Sequence, residues 1–404
     1  MSDSPILPPL RLLLNLGEQA ILRVPLGFQR SKIAELTPNR RLLIVRGPRG
    51  VGKTTLLQQY AQQQFSPAER VYLSLDDIYF SNHRLVDTVH ALQANGYTRL
   101  VLDEIHRYAG WEQELKNCYD RYPHVRILAT GSSMLELGRG GGDLSRRAYV
   151  LSLPVLTFRE YLLFSEILVA PTISLDDLLR SHEAFHEELE RLHGALQPHF
   201  EDYLRYGAYP STILDPSDAR TQLRNVSIQI IDRDITPVAA LQPTTVVKLH
   251  QLLALISEQV PFKPTISKLA AQLKTGRELV VQLLDLLDRS GIIFRIWYES
   301  GGDNRLSKPD KVFLDNPNLC YAFHAIPNRG TLRETFFATA LRSNYSLSLS
   351  KIADFESGHY TFELGGPGKT FKQLRKATDG YLVVDQFERG APRRIPLYLF
   401  GFVE

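Results

Sequence analysis

The segment Gly47-Pro48-Arg49-Gly50-Val51-Gly52-Lys53-Thr54 constrains this chain more than any other, because it fits the spacing G-x-x-x-x-G-K-[ST]. The apolar run Leu42-Leu43-Ile44-Val45 precedes it and reads as a buried strand, and 53–64 follows as a helix rich in Leu and Gln. That context is what the motif requires. Glycines let backbone N–H groups turn inward around an anion, and the N-terminus of the following helix presents its positive dipole end to the same point. The segment from Gly47, Pro48, Arg49, Gly50, Val51 and Gly52 through Lys53, Thr54 and Thr55 is therefore the candidate nucleotide cradle. Lys53 is expected to reach the β- and γ-phosphates, and the Thr54 hydroxyl to ligate Mg²⁺.

The flanking pattern extends the argument. Further short apolar runs at 71–73, 100–102 and 126–129 alternate with helical patterns at 85–95, closed by Gly96, and at 111–122. Near-continuous apolar strands alternating with helices predict an α/β fold with a parallel sheet covered on both faces. The third run ends in Asp103-Glu104. Asp103 suits the Mg²⁺ shell, and Glu104 is placed to polarise a water for attack on the γ-phosphate. The fourth ends in Thr130-Gly131-Ser132-Ser133, where Ser132 is the candidate sensor of that phosphate.

Several motifs together resemble the prokaryotic AAA-family P-loop ATPases that carry a C-terminal domain of unknown function. They are the phosphate loop, Leu102-Asp103-Glu104-Ile105-His106, Ala129-Thr130-Gly131-Ser132-Ser133 and Asp143-Leu144-Ser145-Arg146-Arg147. Leu156-Thr157-Phe158-Arg159-Glu160-Tyr161 and Tyr203-Leu204-Arg205-Tyr206-Gly207-Ala208-Tyr209-Pro210 complete the set. The resemblance is strong to about residue 235 and looser beyond. It implies an ATP-binding, oligomeric ATPase core followed by winged-helix and degenerate restriction-endonuclease-like modules. The expected organisation is an ATPase core with a helical lead-in over 1–150, a helical region over 151–250, a winged-helix-like segment over 251–303 and a small α/β domain over 304–404.

Phosphoryl transfer calls for a cation near the developing charge. Arg146 and Arg147 follow the loop Gly140-Gly141-Gly142-Asp143, and either has the reach to act on a neighbouring subunit as an arginine finger. His182-Glu183-Ala184-Phe185-His186 matches the zinc-protease spacing H-E-x-x-H. The stretch is crowded with acids and histidines and lacks a metzincin continuation, so it reads as a solvent-facing acidic helix. The pattern over 265–290 suits a helix-turn-helix with 292–298 as a wing, but Glu278, Asp285 and Asp288 make its second helix poor for DNA. The C-terminal apolar run 395–402 is expected as a terminal strand or at a subunit interface. In the same domain Glu334, Asp354 and Glu363 are the acids a nuclease would use. Gly365 stands where its lysine belongs, and Lys369 follows six residues after Glu363, about 20 Å along a strand unless the turn Gly365-Gly366-Pro367-Gly368 folds it back. An inactive nuclease fold is therefore expected.

Composition closes off other classes. Two cysteines exclude a disulfide scaffold, and 47 basic against 44 acidic residues give a net charge of +3, which lends no support to a nucleic-acid partner. The start lacks a basic n-region, its Leu12-Leu13-Leu14 run is broken by prolines, and nowhere do about 18 apolar residues run together without charge. The expected protein is a cytoplasmic, Mg²⁺-dependent ATPase with ATP as its nucleotide, forming a homo-oligomer away from membranes. Its rivals are a DNA-linked ATPase and a switch governed by ATP occupancy.

Overall fold

A computed structural model describes residues 6–37, 39–132, 144, 146–298, 309–386 and 391–404. The sequence features at Ser133, Asp143, Ser145 and the glycines at 140–142 lie outside these residues. The chain divides into two compact units, Met1–Pro154 and Val155–Glu404.

In the first unit, five parallel strands run in the order β2-β3-β4-β1-β5: β1 Leu42–Gly47, β2 Arg70–Ser74, β3 Arg99–Asp103, β4 Arg126–Ser132 and β5 Tyr149–Ser152. All four apolar side chains of Leu42–Val45 are at most 1% exposed, as a strand covered on both faces demands. Helices α2 Lys53–Gln64, α3 Leu85–Ala94 and α4 Trp111–Arg121 supply the connections. Ahead of them, α1 spans Pro8–Arg23. Pro8 and Pro9, expected to break this stretch, instead occupy its first turn, where the missing N–H removes no hydrogen bond.

The second unit is helical over most of 155–289. The helices Ile266–Gln272 and Arg277–Arg289 lead into β6 Ile293–Ile296, which pairs antiparallel with β7 Lys311–Leu314. The acids of the second helix are committed within the unit. Arg295 pairs with Asp285 at 2.8 Å and with Asp288 at 2.7 Å. A mixed sheet follows in the order β12-β11-β10-β9-β8: β8 Ser348–Leu349, β9 Phe355–Ser357, β10 Tyr360–Gly365, β11 Asp379–Val384 and β12 Arg394–Pro396.

An aromatic core unites this unit, with Phe158, Phe200, Phe336, Phe362, Phe400 and Phe402 each at most 1% exposed. Two sequence expectations change here. The apolar C-terminus is only briefly a strand; Leu397–Phe402 forms a 3₁₀ turn buried in its own unit, because Phe400 and Phe402 fill that core. The helix Leu175–His193 is not uniformly solvent-facing. His182 and His186 are 4% exposed; His182 Nε2 lies 3.1 Å from the Ala391 carbonyl and His186 Nδ1 bonds the Tyr398 hydroxyl. Its apolar face, with Leu178, Phe185 and Leu189, pulls both histidines inward.

The segment Leu156–Tyr161 earns its residues locally. Thr157 Oγ1 accepts from the Glu160 N–H at 3.2 Å, and Glu160 Oε2 accepts from the Thr157 N–H at 3.1 Å, a reciprocal capping box at the start of Phe158–Phe164. Asn318 fixes the other family-like segment: its Nδ2 donates to the Tyr203 and Leu204 carbonyls, and its Oδ1 accepts from the Ala208 N–H. Thr157→Ala should lower the unfolding free energy by about 1 kcal/mol, read as a lower midpoint in chemical denaturation followed by circular dichroism. An unchanged midpoint would remove the cap from this account.

Candidate phosphate-binding site

The carboxyl ends of β1, β3 and β4 lie side by side, and the candidate residues sit at those ends. In open parallel sheets this edge is where ligands bind. The loop 47–52 leaves β1 and enters α2 at Lys53. Gly50 and Gly52 have φ of 85° and 91°, the left-handed region that glycine enters without strain. Gly47 has no room for a side chain, since a Cβ there would lie 2.2 Å from the Leu153 carbonyl oxygen. Behind the loop, the buried Arg30 donates to the Val51 and Pro154 carbonyls at 2.9 Å each. Nothing in the local sequence flagged Arg30, because its partners are 21 and 124 residues away.

Lys53 is 8% exposed, and its ammonium donates to the Gly47 and Pro48 carbonyls at 2.9 Å each. The ammonium thus folds back over the loop it would share with a phosphate. Thr54 and Thr55 occupy the first turn of α2. Thr54 Oγ1 donates to both carboxylate oxygens of Asp103, 3.0 Å each. Two further hydroxyls converge on that carboxylate: Tyr72 donates at 2.7 Å, and Thr130 donates to Oδ1. Burial and the Asp103 charge push the Tyr72 phenol far above its ordinary range, so it stays a donor. Hydroxyl and carboxylate oxygens are the hard donors that Mg²⁺ prefers, so the set fits that ion.

Glu104 follows with φ 51° and ψ 40°, a left-handed conformation unusual for a residue with a side chain. Its N–H donates to Thr130 Oγ1 at 3.0 Å, and its Oε2 lies 3.3 Å from His106 Nε2. Thr130 therefore braces Asp103 by donation and Glu104 by acceptance. Ser132 sits at the end of β4, 7% exposed, and its N–H donates to His106 Nδ1 at 3.3 Å. Sequence reasoning named the segment but chose Ser132; the residue touching both acids is Thr130. Tyr72 was also missed, although its place near the end of a strand adjoining β3 was the available signal. Of the two arginines, Arg147 pairs with Asp120 of its own chain at 2.8 and 3.1 Å, whereas Arg146 is exposed.

Residues 39–162 match the family model of an AAA domain. This segment is thus similar to AAA domains. A second model, a domain of unknown function (DUF8612), matches residues 197–330. An uncharacterised protein of Methanocaldococcus jannaschii is 29% identical over 307 residues, which is 70% of this chain and 63% of that protein. The chain thus aligns over less than two thirds of that relative's length. Among solved structures, AMPPCP-bound DnaA from Aquifex aeolicus aligns with 67% of this chain and 86% of its own, at 13% identity and a TM-score of 0.31. The RuvB Holliday junction branch migration motor of Thermotoga maritima aligns with 71% of this chain and 87% of its own, at 17% identity and a TM-score of 0.25. Among the described residues, no helix is long and apolar enough to cross a membrane.

Replacing Lys53 with Ala should abolish binding of a fluorescent ATP analogue while leaving the unfolding midpoint close to the parent's. Parent-like affinity in Lys53→Ala would remove the loop from nucleotide recognition.

Proposed function

We propose that the AAA domain hydrolyses ATP to ADP and phosphate with Mg²⁺, and that turnover drives conformational change or assembly of a homo-oligomer. The observation that carries this reading is the convergence of Thr54 and Asp103 at bonding distance, beside the Lys53 loop and the Glu104 carboxylate. Lys53 and the loop N–H groups would hold the phosphates, and Thr54 with Asp103 would hold the metal. Bound Mg²⁺ supplies charge neutralisation at the phosphate oxygens. Glu104 is partly exposed and adjoins Asp103, so its carboxylate is available to take a proton from an attacking water. Its unusual backbone conformation turns the chain sharply after β3, so that two consecutive residues, Asp103 and Glu104, can serve different partners.

This division of labour predicts that Glu104→Gln binds ATP as the parent does and loses turnover by roughly two to four orders of magnitude, the usual worth of general base catalysis. Steady-state phosphate release together with analogue binding checks it; parent-like turnover would reject Glu104 as the base.

Arg147 is engaged with Asp120, which leaves Arg146 as the better candidate to act on a neighbouring subunit's nucleotide. Arg146→Ala and Lys53→Ala should each be inactive alone, and mixtures should recover part of the activity, because some interfaces then pair an intact arginine with an intact loop. If no mixing ratio restores turnover, Arg146 does not act between subunits.

A further inference from the structure

The second unit encloses a cavity of about 720 Å³ that the nucleotide reading does not use. Its walls come from the helices Gln197–Tyr206, Ala219–Gln229, Pro317–Phe323 and Arg329–Arg342 and from the connection 325–327. Every lining residue except Leu332 falls within 197–330, the segment matched by the domain of unknown function. The floor is apolar: Ala219, Leu223, Ala322 and Leu332 are each at most 5% exposed. Two of these four are alanines, whose side chains end at Cβ and leave the space between the helices open. A concave site of this volume, mostly apolar and with few polar groups, is of the kind that small molecules occupy.

The charge of the lining is one-sided. Arg205, Arg220 and Arg329 line the cavity, and among the described residues no acid does. The three arginines are not equivalent. Arg329 is already engaged, with both terminal nitrogens on Glu201 and its Nε on Asp385 at 2.8 Å. Arg205 lies 3.9 Å from Asp202 with its side chain 58% exposed, a pair that holds it weakly. Arg220 has no ion pair among the described residues; its Nε donates to the Ala322 carbonyl at 3.2 Å. That carbonyl lies in the last turn of Pro317–Phe323, where no intrahelical N–H reaches it. The bond ties the guanidinium to the cavity wall and leaves the four N–H donors on its terminal nitrogens without a protein partner. Asn318, the polar amide in the lining, is used up on the backbone of Tyr203, Leu204 and Ala208, so it stiffens the wall and adds no donor to the cavity.

An apolar floor disfavours a bare inorganic anion, which would lose its hydration against carbon. Arginines without acids disfavour a cation and give a neutral molecule no charge-assisted bond. An anionic head on an apolar body satisfies both conditions.

We infer that this cavity binds a small organic anion, a carboxylate or phosphate head on an apolar body, with Arg220 holding the head and the alanine-floored space the body. The planar guanidinium fork matches either head, so the two share one recognition chemistry. The inference does not rest on the nucleotide reading, because every lining residue belongs to the second unit.

The test is isothermal titration of the full chain with octanoate, octyl phosphate and octanol. Every sample carries Lys53→Ala, so that anions at the phosphate loop do not enter the count. Saturable one-to-one binding of octanoate, octyl phosphate or both is expected, and the tighter of the two identifies the head. Octanol should bind at least roughly tenfold more weakly, the worth of a hydrogen bond to a charged group. Arg220→Met, which keeps the stem, should weaken the preferred anion by a similar factor and leave octanol unchanged. Hexanoate should bind more weakly than octanoate by up to about fifteenfold, for two buried methylenes. Ala219→Leu, which fills the cavity without altering its charge, should weaken every ligand. Unfolding midpoints near the parent's establish that each variant is folded; if Ala219→Leu is not, Arg220→Met decides. No saturable binding of either anion, octanol bound as tightly as the anions, hexanoate as tightly as octanoate, or undiminished anion binding in either folded variant would each overturn the inference. Anion affinity that falls as protein concentration rises would assign the cavity to a second copy of this chain and overturn it as well.

Discussion

The Asp103 carboxylate is the constraint on which the candidate site depends. Three hydroxyls converge on it from three elements: Tyr72 from β2, Thr130 from β4 and Thr54 from α2. Asp103 itself ends β3, so one buried side chain ties together the carboxyl edge of the sheet and the helix that follows the phosphate loop. A carboxylate can accept several hydrogen bonds at once, and hydroxyl donors turn freely to meet it. Each donor is itself neutral, so one that turned toward another acceptor while a cation took its place would leave no charge of its own unpaired. Such a hub holds the site in shape yet can admit a cation without dismantling its surroundings.

What the sequence made legible followed from local rules. The loop spacing, the apolar strands and the glycine demands are all properties of neighbouring residues, and the observed strands and helices of the first unit lie within a few residues of where periodicity puts them. Asp103 was legible because it ends a strand. Arg30, Tyr72 and the double role of Thr130 were not, since their partners arrive through tertiary contact across 21 to 124 residues. The same limit explains the second unit. An extended strand would put Lys369 out of reach; the glycine- and proline-rich turn, legible in the sequence as the alternative, is what brings it back to Glu363. His182 and His186 read as surface residues by composition, yet packing of their helix's apolar face buries them.

The motifs that carried the family resemblance divide by the work they do. The phosphate loop and Asp103-Glu104 are those to which the proposed chemistry is assigned. Thr157, Glu160 and the Tyr203–Ala208 backbone are architectural: a capping box fixes where a helix starts, and Asn318 satisfies three backbone groups across the following segment. Architectural motifs can be as distinctive in sequence as catalytic ones, because a cap or a buried amide tolerates few residue types. Distinctiveness alone therefore does not mark a reaction centre; the test is whether the side chain faces a place where a substrate atom could sit.

By that test the two buried carboxylate sites differ in the charge that faces them. Asp103 is surrounded by neutral donors, so a metal arriving there gains the whole of its attraction to the carboxylate and displaces no ion. Glu363 already faces an ammonium, that of Lys369. The Lys369 side chain is 33% exposed, whereas that of the carboxylate it pairs with is 2% exposed. The placement of Lys369 on a glycine- and proline-rich turn, instead of on the strand itself, separates the two: the acid is fixed by the sheet and its counter-charge by a turn that can be altered without altering the sheet.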